Sequence, residues 1–183
     1  MKKMTRLLSL VFTFFSITVQ AKQLSFAAGM YSIEATSASK PVSVSSFGSY
    51  RFSYSQNIWE NFSFSAGYNL ILEKATGGDK SYGLSFGANY YIGPEAALIK
   101  SHLDNVSVSY TSSLLPYIGF EFHQRQFQST KTSYAGFGIV AGVEKYWRQD
   151  FSLIAEFRMI TLGGTNNGEA NEKTLMTGIA LSL

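Results

Sequence analysis

The sequence predicts an all-β chain, an eight-stranded, antiparallel, up-and-down transmembrane β-barrel preceded by a cleaved signal peptide. Three observations carry this. Apolar side chains recur at every second position in runs of about 9–11 residues, the length a tilted strand needs to cross a bilayer. Aromatic residues make up 15% of the chain, yet no helix-length apolar run follows the N-terminal segment. A soluble sandwich would hide those rings between two sheets, whereas a membrane barrel turns them outward to lipid. Finally, the chain ends on Met176-Thr177-Gly178-Ile179-Ala180-Leu181-Ser182-Leu183, which alternates to the last carboxylate, so a terminal strand must find pairing partners.

The N-terminal segment is read as a leader, residues 1–21. Lys2, Lys3 and Arg6 give it a basic start, Leu7 to Val19 an apolar centre, and Val19-Gln20-Ala21 small residues at the cleavage-determining positions. Its apolar centre is roughly 13 residues, short of the about 20 that a spanning helix requires. Residues 22–183 are then one barrel domain. The formal charge of +3 belongs to the leader, because without its three cations twelve basic residues face twelve acidic ones. A neutral mature chain offers no nucleic-acid surface and no polybasic patch. With no Cys, it has no disulfide, no thiolate nucleophile and no Cys-ligated metal.

Taken in order, the first strand runs from Gln23 to Glu34, with Leu24, Phe26, Ala28 and Met30 on one face and Ser25, Ala27 and Gly29 on the other. The second, Val42 to Gln56, sets Gly48, Tyr50, Phe52 and Tyr54 against Ser49, Arg51, Ser53 and Ser55. A tight connection around Trp59 leads into the cleanest alternation in the chain. There Phe62, Phe64, Ala66, Tyr68, Leu70 and Leu72 oppose Ser63, Ser65, Gly67, Asn69 and Ile71. Ala75 to Lys80 has turn chemistry, and Tyr82 to Ile92 returns with the same logic until Gly93-Pro94 stops it.

Residues Glu95 to Leu115 are read as a long connection, with a short helix over Glu95 to Leu103 and too brief an alternation at Val106, Val108 and Tyr110 to span. The fifth strand, Pro116 to Ser129, turns Ile118, Phe120 and Phe122 outward; the sixth, Ser133 to Glu144, does so with Phe137 and Ile139. A turn at Trp147 precedes the seventh, Phe151 to Leu162, and the polar stretch Gly163 to Lys173 is read as the loop before the closing strand. Eight is an even number, so both termini lie at one end. The turns at Trp59 and Trp147 lie there too, and their rings suit one membrane interface.

The opposite faces of these strands carry Arg51, Glu121, His123, Arg125, Glu144, Glu156 and Arg158. An eight-stranded barrel is just wide enough for side chains to fill, and charges held inside must be paired. A salt-bridged plug is therefore expected, with inward glycines such as Gly67, Gly83, Gly136 and Gly142 leaving room for it. The alternative is a narrow pore for ions or small solutes, gated by exchange of those pairs.

Over its whole mature length this pattern resembles the small eight-stranded outer-membrane barrels of Gram-negative bacteria, the class of the OmpA membrane domain and OmpX. Gly178, Leu181 and Leu183 match the spacing of that class's C-terminal assembly signal, although such barrels usually finish on an aromatic residue and this one finishes on Leu183. The resemblance implies residence in the cell outer membrane, contact with its lipid and lipopolysaccharide, insertion by the barrel-assembly machinery, a monomeric state, and a structural or surface-interaction role.

A second alternative is a barrel enzyme that modifies lipid A, since one deacylase type carries a His-x-Ser pair backed by an acid. Here the equivalent stretch is His123-Gln124-Arg125, with Arg where the nucleophile belongs. No catalysis is expected, nor a cofactor or metal site, because two histidines, His102 being a loop residue, show no ligand spacing. Gly77-Gly78 and Gly163-Gly164 lack the Lys-Ser/Thr that a phosphate loop needs, and read as loop tips. The outer loops, Ala35–Pro41, Lys74–Lys80, Ser129–Thr132 and Gly163–Lys173, are short and polar, whereas adhesins of this fold usually present longer or protruding strands.

Overall fold

Eight strands pair edge to edge and close into a barrel in a computed structural model that describes residues 22–37, 40–59, 61–73, 79–93, 114–128, 133–148, 150–164 and 168–183. They are β1 (Lys22–Ser37), β2 (Lys40–Trp59), β3 (Phe62–Glu73), β4 (Asp79–Tyr91), β5 (Leu114–Phe127), β6 (Ser133–Tyr146), β7 (Phe151–Gly164) and β8 (Glu169–Ser182). Each is antiparallel to its neighbour in sequence, and β8 closes the ring on β1, from Gln23 opposite Ser182 to Thr36 opposite Glu169. Closure matters because an open sheet edge has no place in hydrocarbon.

The side-chain alternation inverts that of a soluble barrel. Phe26, Phe52, Phe64, Phe86, Phe120 and Phe137 project outward and are each roughly half exposed, while Arg51, Glu121, His123, Arg125, Glu144 and Arg158 are buried inside. Rings stack along this outer wall, Phe120 on Phe137 at 5.3 Å and Phe122 edge-on to Phe137 at 5.2 Å. A continuous apolar belt of this extent is suited to lipid, not water. Trp59 and Trp147 sit at the termini end of the belt, 66% and 68% exposed, so their rings project from the wall.

One irregularity preserves the inside-outside order. Counting by twos from Arg51 would send Phe47 into the lumen. The pairing of β1 with β2 slips at Gly29/Met30, which face Ser49 and Phe47 and leave Gly48 as an extra residue. Gly48 has φ 128°, a conformation that a β-carbon would strain. The bulge turns Phe47 outward, where it is 76% exposed. Gly48, expected on the outer face of a regular strand, is instead the residue at which that face changes parity.

Strands flank three of the four connections opposite the termini more closely than the alternation predicts, while β5 ends at Phe127, short of the expected Ser129. β1 continues to Ser37, β2 starts at Lys40, β4 at Asp79 and β8 at Glu169. The stretch expected to be a loop up to Lys173 is thus partly strand. Its first turns escaped notice because both faces are polar there: Glu169, Asn171 and Lys173 point out, Glu172 and Thr174 point in. β1 and β2 rise beyond β3, since described pairing of β2 with β3 stops at Ser49–Ile71, whereas β7 and β8 stay paired up to Gly163–Glu169. Described polar contacts on the outer face at this end are Lys173 Nζ 4.0 Å from Glu34 Oε1, between β8 and β1, and the Thr161 hydroxyl of β7 donating to Asn171 Oδ1 of β8 at 3.0 Å.

The long connection lies at the termini end, and β5 claims its last two residues, Leu114 and Leu115. β4 pairs directly with β5, from Ser81–Phe127 to Tyr91–Tyr117, so no ninth strand separates them. The leader at 1–21, the helix expected over Glu95 to Leu103, His102 and Gly77-Gly78 lie outside the described residues.

Candidate functional site

The interior is built in three levels. Nearest the hairpin end, Tyr31, Ile33, Ile71, Ile160, Leu162 and Ala170 form an apolar layer. Within it Arg125 of β5 reaches across to Glu172 of β8, whose register partners are Ile33 and Ile160 of that layer. Its Nε donates to Oε2 at 2.8 Å, its Nη2 to Oε1 at 2.6 Å, and its Nη1 to Ser81 Oγ at 2.9 Å. This is the bidentate fork that makes a guanidinium–carboxylate pair strong and directional.

At mid-height, Glu121 of β5 collects three partners. Arg51 Nη1 lies 3.1 Å from Oε2, Arg158 Nη1 3.0 Å from each oxygen, and His123 Nδ1 3.3 Å from Oε1. Arg158 also donates through Nη2 to Glu156 at 3.0 Å, and Arg51 Nη1 is 3.9 Å from the same carboxylate. Two arginines and two glutamates thus close a ring across β2, β5 and β7. Space for it comes from small neighbours: a β-carbon on Gly67 would lie 2.9 Å from Arg51 Nε.

At the termini end Glu144 is held differently. It accepts hydrogen bonds from Gln23 Nε2 at 2.6 Å, from Ser152 Oγ and from the Tyr91 hydroxyl at 3.3 Å. Among the described residues no cation pairs with it. Tyr91, Leu115, Tyr117 and Val140 pack around it as a second apolar layer, and the Tyr117 ring lies over Gly142. Between this level and the ring is a cavity of about 30 Å³, bordered by Ser53, Asn89, Tyr117, Glu144 and Glu156, room for one or two waters.

All seven ionisable residues expected in the lumen are inside, and the structure brings four of them, with His123 beside them, into one cluster. Arg125 and Glu144 stand apart, above and below. Glu172, the partner of Arg125, was missed because it lies in the part of β8 without apolar–polar alternation. The neutral donors Gln23, Ser81, Ser152 and Tyr91 carry no sequence signal of their own. Gly178 faces inward against the β1 backbone, while Leu181 and Leu183 face out, 46% and 72% exposed.

His123 has no nucleophile bonded to it among the described residues. His123 Nδ1 is turned to Glu121, no hydroxyl is bonded to its Nε2, and the ring is 1% exposed. A nucleophile there would lack both its base and a path for substrate. No group of three or more metal-ligating side chains occurs among these residues either.

No protein-family model matches the chain, and no curated protein matches its sequence. Solved structures match in shape. Neisserial surface protein A aligns with a TM-score of 0.61 at 16% identity, covering 87% of this chain and 96% of that one. The N-terminal β-barrel domain of Pseudomonas aeruginosa OprF aligns at 0.49, with 13% identity over 87% and 97%. Ail, the attachment invasion locus protein of Yersinia pestis, aligns at 0.47, with 12% identity over 90% and 100%. The chain has the fold of the small eight-stranded outer-membrane barrels.

Proposed function

We propose that this protein is an integral barrel of the bacterial outer membrane that acts through its outer surface, without catalysis and without conducting solutes. The observation that carries the reading is the filled lumen: an apolar layer holding a bidentate ion pair, and a four-member ring of charges, lie in series along it. A pore would need those pairs to open, and each buried charge left alone costs several kcal/mol. The extended β1–β2 hairpin, with the polar start of β8 beside it, supplies a presenting surface that short loops do not.

In this reading the leader at 1–21 exports the chain, the assembly machinery reads Gly178, Leu181 and Leu183, and the monomer inserts with Trp59 and Trp147 at the periplasmic interface, among lipid and lipopolysaccharide. The absence of Cys makes a direct test clean. Ser43→Cys, exposed on that hairpin, will react with a membrane-impermeant maleimide on intact cells. Asp150→Cys, at the termini end, will react only after permeabilisation. A Ser43→Cys protein that is inert on intact cells and labelled after permeabilisation overturns the orientation and the surface role together.

A further inference from the structure

We infer that the termini end of the barrel carries a site for a zwitterionic, primary-amine phospholipid, between the β6–β7 turn and the end of β8. The inference rests on the membrane-barrel reading above and adds a ligand to it. A groove of about 510 Å³ opens there on the outer wall, lined by Trp147, Arg148, Asp150, Phe151, Leu153 and Leu181. Its floor is apolar and continuous with the belt: Trp147, Leu153 and Leu181 are 68%, 38% and 46% exposed. An acyl chain fits such a slot, and bare water does not.

Its rim carries one charge of each sign. Arg148 and Asp150 are both exposed, two positions apart in a turn fixed by the backbone. The amides of Trp147 and Arg148 donate to the Phe151 carbonyl at 2.9 and 3.1 Å, and the Ser182 amide donates to the Asp150 carbonyl at 2.9 Å. Asp150 is thereby tied to the barrel's closing strand, and Trp147 and Arg148 to Phe151. No ion pair joins Arg148 to Asp150 among the described contacts, so each is available to a ligand. A headgroup with a phosphate and an ammonium complements both, the phosphate on the guanidinium as a fork and the ammonium on the carboxylate. The amphipathic Trp147 ring sits where headgroup meets acyl chain. An anionic lipid would satisfy Arg148 and be repelled by Asp150, and a quaternary ammonium would offer the carboxylate no N–H donor.

The test uses Trp147 as its own reporter. The chain has two tryptophans, so Trp59→Phe leaves one, in the groove. This protein is reconstituted in vesicles holding a minor fraction of brominated-chain phosphatidylethanolamine, phosphatidylcholine or phosphatidylglycerol with identical chains. Random annular contact quenches equally in all three. The site predicts half-quenching at a phosphatidylethanolamine fraction about two- to fivefold lower than for the others, the scale of an exposed charge pair. Arg148→Ala will abolish the preference, Asp150→Asn will erase the distinction from phosphatidylglycerol, and Lys173→Ala, at the far end, will leave it intact. Equal quenching by the three lipids overturns the site, and stronger quenching by phosphatidylglycerol overturns the zwitterionic assignment. Heat-modifiable gel mobility is read on the same samples. Its loss overturns the barrel reading, whereas equal quenching with the shift intact overturns only the lipid site.

Discussion

Glu121 and Glu144 are both buried carboxylates inside one barrel, 1% exposed each, and they are stabilised by different means. Glu121 is enclosed by Arg51, Arg158 and His123; Glu144, among the described residues, is bound by the uncharged donors Gln23, Ser152 and Tyr91, with the Tyr146 hydroxyl also beside it. The first is a member of a ring whose parts come from three strands, so its removal leaves two guanidiniums to share the one carboxylate of Glu156. The second rests on uncharged donors, so its removal strands none. Burial alone does not say how much a charge holds together. What decides is whether its partners would be left charged without it.

The same isosteric substitution therefore separates the two sites. Glu121→Gln should cost about 3–5 kcal/mol, as expected when one member of a buried ionic cluster is neutralised. Urea unfolding of the reconstituted barrel, followed by tryptophan fluorescence, measures it. A cost equal to that of Glu144→Gln would erase the distinction between ring and hydrogen-bond cradle.

Gly67→Ala sharpens the comparison without touching a charge. Its methyl would press on the Arg51 guanidinium, and overpacking of this kind costs about 1–3 kcal/mol. The loss should shrink in the Arg51→Ala background to the part owed to Ser85 Oγ, which the methyl would also meet at 2.9 Å, and should largely vanish when Ser85→Ala is added. A full cost with both contacts removed would mean that Gly67 is needed for backbone reasons and not to seat Arg51. Smallest of all, Glu144→Gln should cost about 1 kcal/mol, since the amide oxygen still accepts from Gln23 and Ser152 while its NH2 can donate to the Tyr91 hydroxyl oxygen.

The outer wall shows how much was legible in advance. Period-two alternation located all eight strands and sent Phe64, Phe86 and Phe137 to lipid, because a wall between lipid and a polar lumen imposes opposite chemistry on adjacent residues. Where that contrast lapses, legibility lapses too. Above the belt both faces of β8 are polar, so Glu172 was read as loop and the Arg125 pair was half seen. At Gly48 the strand changes parity, a geometric event with no marker except the glycine itself. The ring around Glu121 was anticipated as a set of charges but not as a set of pairs, since strand register across the lumen decides who meets whom. The cradle of Glu144 was hidden for a further reason: Gln, Ser and Tyr occur throughout the inward faces.

The central claim is that the ring and the Arg125–Glu172 pair close the lumen, leaving function to the surface. Single-channel recording of the refolded, heat-modifiable protein in planar bilayers tests it most directly. The account predicts silent membranes with the wild-type chain. Reproducible unit conductance that Arg158→Ala or Glu121→Ala alters would contradict it, and would make the ring a gate.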